Sequence, residues 1–186
     1  FAVGFVDKKR ILNKDKIKKN NLILSIPSNG LHSNGFSLVR EILKRKKINI
    51  KKHKFLKKEL IKPTKIYVSE IMSLLDKNLI NGCVNITGGG IYDNIQRVIP
   101  KGLSANINLN KIKTQKIFSW IKNSGVTEIE MLKTFNCGVG FCIIINPKNL
   151  KKVLKLFTSQ FKPYVIGRMS NNSIKVKLNG QINWSK

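Results

Sequence analysis

The longest strongly apolar run in the sequence, Phe141 to Ile145, is far too short for the ~20 residues that span a bilayer. The other apolar runs are equally brief, and Gly, Asn, Ser or Pro punctuate them. Asn21-Leu-Ile-Leu-Ser-Ile26, Cys83-Val-Asn-Ile86, Ser104 to Leu109, Gly138 to Ile145, Tyr164 to Arg168 and Ser173 to Leu178 read as strands, and Phe1-Ala-Val-Gly-Phe-Val6 reads as a further one. Helical spacing fills the gaps. Phe36, Val39 and Leu43, with Leu38 and Ile42 beside them, predict a helix capped by Ser33 or Asn34. Pro63 precedes a second helix, in which Tyr67, Ile71, Leu74 and Leu75 share a face. A third runs from Gly90 to near Val98 and is stopped by Pro100, and others are expected over Ile112 to Lys122, Glu128 to Lys133 and Asn149 to Phe161. About seven strands and five or six helices in irregular order predict an α+β fold, with helices covering a mixed or mostly antiparallel sheet.

A chain of 186 residues is long enough for one domain with a sizeable core. Its formal charge of +27 invites a nucleic-acid reading. Yet 31 of the 36 basic residues are Lys and only 5 are Arg, and they are spread from Lys8 to Lys186. Lys, Asn and Ile together make 78 of the 186 residues, the trio that an AT-rich genome favours, so a nucleic-acid partner is not expected. The densest basic stretch, Lys44 to Lys65, reads as a solvated helix face or loop with His53 a bystander. The three cysteines form no C-x-x-C pair and there are two histidines, which excludes a structural zinc site or disulfide framework. No secretory signal is visible, and a cytoplasmic, reducing setting is expected.

Two segments share the order strand, Gly/Ser/Asn loop, helix: Ile26-Pro-Ser-Asn-Gly-Leu-His-Ser-Asn-Gly35 and Ile86-Thr-Gly-Gly-Gly90. Glycine lets a phosphate approach the backbone, a helix start offers unpaired N–H groups, and Ser33, Asn34 and Thr87 can add donors. Such a pair of loops suits a phosphorylated small molecule; bare tight turns account for the same composition. Neither loop is a Walker motif or G-x-G-x-x-G. His32 lies inside the first loop, as an acid, base or phosphate donor or as a backbone partner. Asn136-Cys-Gly-Val-Gly140 is a third segment of interest, in which Cys137 reads as a small buried residue or a nucleophile. No acidic cluster is available to hold a metal ion.

Gly30-Leu-His-Ser-Asn-Gly-Phe-Ser-Leu-Val-Arg40, Pro63-Thr-Lys-Ile-Tyr-Val68, Ile86-Thr-Gly-Gly-Gly90 and Thr134-Phe-Asn-Cys-Gly-Val-Gly140, with Asn94, Arg97 and Pro100, stand in one order and spacing. Together they resemble the C-terminal half of the phosphoribosylformylglycinamidine cyclo-ligase (aminoimidazole ribonucleotide synthetase) family, from Phe1 to about Arg168. The resemblance implies a three-layer α-β-α domain of the synthetase C-terminal type over residues 1–186, with the N-terminal ATP-binding domain absent from this chain. It implies closure of an imidazole ring on a phosphoribosyl substrate at the expense of ATP. ATP and Mg²⁺ are expected mainly on the N-terminal domain, and the whole enzyme as a homodimer. By the same resemblance His32 is the catalytic candidate, and Gly30, Ser33, Asn34, Gly35, Thr87, Gly88, Gly89, Gly90 and Asn136 are the substrate- or phosphate-binding candidates. This half alone is expected to be inactive. Departures from the usual pattern are Asn29 for Ser, Lys65 and Lys133 for Arg, Asn85 for His, Asp93 for Glu and Gln96 for Pro. Alternative readings are another member of the superfamily (FGAM synthase, selenophosphate synthetase or thiamine-phosphate kinase type), a basic nucleic-acid-binding module, or a non-catalytic scaffold left by gene decay.

Overall fold

The computed structural model describes residues 3–185, with the side chain of residue 159 left aside. Its six strands are β1 (Leu22–Pro27), β2 (Gly82–Asn85), β3 (Ser104–Asn108), β4 (Val139–Ile145), β5 (Tyr164–Ser170) and β6 (Val176–Asn179). They form one sheet in the order β2-β4-β1-β5-β3-β6, antiparallel throughout except for the parallel β3–β6 pair at one edge. The helices are α1 (Phe36–Arg45), α2 (Lys54–Leu60), α3 (Val68–Asp76), α4 (Gly90–Ile95), α5 (Lys116–Lys122), α6 (Glu128–Thr134) and α7 (Leu150–Leu154).

Strand alternation divides the core in two. On β1 and β4, Ile23, Cys142 and Ile144 point to one face. They pack there with Val39 and Ile42 of α1, Leu56 of α2, Ile91 and Ile95 of α4, Phe118 of α5 and Met131 of α6. Leu22, Leu24, Ile26, Ile143 and Ile145 point to the other face and meet Tyr67, Ile71 and Leu74, most of them on α3, and Val153 of α7. The result is the expected three-layer α-β-α arrangement of an α+β fold.

Among the described residues there are six strands where about seven are expected. Phe1 and Ala2 lie outside the described residues, and Val3 to Val6 form no strand: Val3 and Phe5 are exposed and pair with nothing in the sheet. Within the Lys44–Lys65 stretch, read as a solvated helix face or loop, α2 is a helix: Leu56 and Leu60, four residues apart, are buried under a lysine-rich outer face. His53 is its N-cap, accepting from the Leu56 N–H at 3.4 Å. Neither Ser33 nor Asn34 caps α1; Gly35 does, at φ 74° and without a side-chain bond. The Ile112–Lys122 helix begins only at Lys116, since Leu109–Lys111 forms a 3-10 turn and Gln115 is extended. The Asn149–Phe161 helix is cut to Leu150–Leu154, with a separate 3-10 turn at residues 159–161.

Register then places the site. Ile26 pairs with Phe141 and Pro27 with Val139, while Asn85 also pairs with Phe141. The chain leaving β1, the chain leaving β2 and the chain entering β4 therefore emerge at one end of the sheet, where the three segments noted in the sequence converge.

Candidate functional site

The loop after β1 is shaped by positive backbone dihedrals at Gly30, His32, Ser33 and Gly35. A β-carbon on Gly35 would overlap the Phe135 ring, so only glycine fits where α1 begins. Asn34 folds back to donate from Nδ2 to the His32 carbonyl at 2.8 Å. Ser28, buried beneath the loop, is clamped by Gln115, whose Nε2 donates to its carbonyl at 2.6 Å. Asn136 closes the far side, donating from Nδ2 to the Gly30 carbonyl and accepting from the Gly138 N–H, both at 2.9 Å.

The loop after β2 is tied by Asn94 of α4. Its buried amide donates to the carbonyls of Thr87, Gly88 and Gly90, and its Oδ1 accepts from the Thr87 hydroxyl at 3.1 Å. The two loops meet, because a β-carbon on Gly88 would lie 3.7 Å from Asn34 Oδ1. Ser33 and Gly88 are exposed, Asn34, Gly35, Thr87 and Gly89 half-buried, and Gly30, His32, Gly90 and Asn136 buried. All ten expected site residues thus belong to one connected region, with an accessible rim of Ser33, Asn34, Thr87 and Gly88 over a buried floor.

His32 is 6% exposed. Its Nε2 faces Asn29 Oδ1 at 2.7 Å, and its Nδ1 has no partner among the described residues. Burial and the nearby Lys65 charge push its pKa down to about 4, so the ring is neutral at physiological pH. The segment Pro63–Tyr67 runs alongside. Ser33 Oγ lies 3.4 Å from Thr64 Oγ1, and the Tyr67 hydroxyl donates to the Pro27 carbonyl at 2.8 Å. Lys65 is held by Glu70 at 2.8 Å and lies over the Phe161 ring at 4.3 Å and the Tyr67 ring at 5.1 Å. Burial alone would raise the Glu70 pKa, but hydrogen bonds from Lys65 and Ser69 outweigh it and hold the carboxyl below its usual value.

Cys137 is no nucleophile: it is fully buried, donates to the Met131 carbonyl at 3.3 Å, and burial pushes its thiol pKa up. Asn85 is exposed, beside an apolar recess of about 320 Å³ lined by Ile66, Tyr67, Val68 and Phe141. Sequence reasoning missed Asn29, Tyr67, Asn94 and Gln115 as site builders. Asn94 could have been found, four residues after Gly90 on the inner face of a helix start. Gln115, 87 residues from Ser28, carries no local signal. Among the described residues no three His, Cys, Asp or Glu side chains gather as a metal-binding group, and no helix is long and apolar enough to cross a membrane.

Two curated proteins illustrate the chain's relatives. A phosphoribosylformylglycinamidine cyclo-ligase of Bacillus cytotoxicus is 40% identical over 98% of this chain and 54% of that protein. One of Thermodesulfovibrio yellowstonii is 40% identical over 91% of this chain and 52% of that protein. The chain spans about half the length of the curated relatives it matches. The fold recurs in solved structures. T. maritima PurL complexed with FGAR matches at TM-score 0.58 and 12% identity, over 94% of this chain and 28% of that one. AaThiL complexed with AMPPCP and TMP matches at TM-score 0.58 and 12% identity, over 91% of this chain and 51% of that one. The family model for the C-terminal domain of AIR synthase related proteins matches residues 18–179, and the chain belongs to that family.

Proposed function

We propose that this chain is the substrate-side domain of a phosphoribosylformylglycinamidine cyclo-ligase, which converts formylglycinamidine ribonucleotide and ATP to aminoimidazole ribonucleotide, ADP and phosphate. The observation that carries the reading is the meeting of two glycine loops at Asn34 and Gly88, in a chain 40% identical to cyclo-ligases. In that reaction the formyl oxygen is phosphorylated, and an internal nitrogen attacks the formyl carbon. The C–N bond forms as the C–O bond breaks, phosphate leaves with the oxygen, and the nitrogen gives up a proton. We assign the loops Gly30 to Gly35 and Thr87 to Gly90 to binding the substrate or its phosphate through backbone N–H groups and the Ser33, Asn34 and Thr87 side chains. Asn136 holds the first loop in shape. His32, neutral at physiological pH, is assigned the part of an acceptor toward a substrate nitrogen.

Among the described residues no carboxylates gather into a magnesium set. ATP and Mg²⁺ are therefore assigned mainly to an N-terminal domain of the whole enzyme, facing this one across the cleft. That domain is also assigned the contact of a cytoplasmic homodimer. AMPPCP bound to a protein of the same fold is in keeping with a nucleotide substrate for the whole enzyme.

The test is formation of aminoimidazole ribonucleotide by the whole enzyme with Asn34→Ala. A fall of roughly 100-fold in kcat/KM with the fold intact is expected; unchanged kinetics would sink the assignment. This chain alone should not turn over, and activity without the N-terminal half would overturn the division of labour.

A further inference from the structure

Asn29 makes the two nitrogens of His32 unequal. Its Nδ2 donates to the Pro63 carbonyl at 3.0 Å. A carbonyl can only accept, so this bond orients the amide and leaves Oδ1 facing His32 Nε2 at 2.7 Å. Oδ1 has no proton to give, so this short contact is a hydrogen bond only when Nε2 carries one. Two backbone N–H groups also reach Nε2, from Asn29 at 3.2 Å and Lys65 at 3.4 Å, and these favour the opposite tautomer. They are the longer contacts, and neither can be relieved by turning the Asn29 amide without setting Oδ1 against the Pro63 carbonyl. With the proton on Nε2, Nδ1 is a lone pair, buried and without a partner among the described residues.

We propose that Asn29 is a positioning residue that holds His32 as its Nε2-protonated tautomer and so keeps Nδ1 as an acceptor for a substrate N–H. A lone pair there selects for a donor, such as an amine or amidine nitrogen, and against a phosphate or carbonyl oxygen. The substrate assignment rests on the cyclo-ligase reading, whereas the tautomer does not. The charged or titratable groups around the ring are Lys65, with Glu70 paired to it, and Tyr67, whose ring centroid is 6.0 Å away. A positive neighbour and burial both keep the ring neutral, so a tautomer rather than a charge state is what Asn29 controls.

The test is the ¹⁵N imidazole spectrum of this chain at pH 7, without substrate. With two histidines in the sequence, a His53→Gln variant completes the assignment. His32 should show a protonated Nε2 and an unprotonated Nδ1, the favoured form exceeding the other by roughly fivefold, the ratio one hydrogen bond of ordinary net strength sustains. Asn29→Ala should shift the ring toward the Nδ1-protonated form under the two backbone donors. Asn29→Asp, which accepts at Nε2 but sets its second oxygen against the Pro63 carbonyl, should restore Nε2–H and raise the His32 pKa while lowering stability. A wild-type ring protonated at Nδ1 would overturn the proposal, as would a tautomer ratio indifferent to Asn29→Ala with the amide spectrum intact. Should Asn29→Ala fail to fold, Asn29→Ser, whose hydroxyl both donates and accepts, should still move the ratio. In the whole enzyme Asn29→Ala should lower kcat about tenfold with KM little changed, and Asn29→Asp should recover part of it; an unchanged kcat overturns the positioning role. Failure of the cyclo-ligase assay in the wild type would strike the substrate reading and leave the spectrum to decide the tautomer.

Discussion

Asn136 donates from Nδ2 to the Gly30 carbonyl across 2.9 Å, joining residues 106 apart in sequence. The same side chain accepts from the Gly138 N–H and is fully buried, so it sets the distance between the loop leaving β1 and the chain entering β4. Asn136→Ala would leave a buried carbonyl and a buried N–H unpaired, a loss of about 3 kcal/mol. Asn136→Asp keeps the acceptor but turns an oxygen toward the Gly30 carbonyl, and should be at least as harmful. Urea unfolding reads both; a change below about 0.5 kcal/mol for Asn136→Ala would mean the strut is dispensable.

A second prediction separates backbone strain from crowding. Gly90 has φ 61°, and a β-carbon there would overlap the Leu132 carbonyl oxygen. Gly102 has φ 78° with nothing within 4 Å of such a carbon. Gly102→Ala therefore carries only the left-handed penalty, about 1–2 kcal/mol. Gly90→Ala carries that penalty and must push α4 away from α6, so it should cost about 2 kcal/mol more. Equal losses in thermal unfolding would show that α4 and α6 separate freely.

The strands and both glycine loops were legible because their signals are local. β1 alternates Ile23 against Leu22 and Leu24, and Thr87 to Gly90 carries its turn chemistry in consecutive residues. α2 stayed open between helix face and loop because its apolar side consists of Leu56 and Leu60 among lysines, too short a period to decide. Val3 to Val6 has strand composition, but strand formation needs a partner and none is present in the sheet. The rim of the site could be read from residue types. The props behind it could not, since Gln115 under Ser28 and Asn29 against Pro63 depend on tertiary contacts that no spacing encodes.

Lys65 links the ion pair to the imidazole. Its ammonium is bonded to Glu70 and depresses the His32 pKa, while its backbone N–H reaches Nε2. Lys65→Met removes the charge and keeps much of the stem, so the His32 pKa should rise from about 4 by roughly half a pH unit. Glu70→Gln leaves the ammonium without its counter-charge, which should move His32 the other way and cost about 1–2 kcal/mol of stability for a half-buried pair. NMR titration of His32 in the two variants checks the opposite signs. Shifts in the same direction would show that Lys65 acts on the ring through packing, not charge.

The same imidazole should make the fold acid-sensitive over a defined window. His32 titrates near 4 in the folded chain, against about 6.5 for an unperturbed histidine. Between those values the unfolded chain binds a proton that the folded chain refuses, so stability must fall as the pH drops. The neutral ring's contribution is fully present above about pH 6.5 and gone below about pH 4, and at 1.36 kcal/mol per pH unit the interval between them amounts to about 3.4 kcal/mol. His32→Gln has no such proton to gain. Its stability should lie below wild type at pH 7 because Asn29 loses its imidazole, and it should change less on the way to pH 4. The deciding quantity is the wild-type minus variant difference in urea stability at pH 7, 5.5 and 4, in which the carboxylates common to both chains cancel. A difference that shrinks steadily toward pH 4 is the expected result, and one that stays constant would mean that His32 takes up its proton inside the folded chain as readily as outside it.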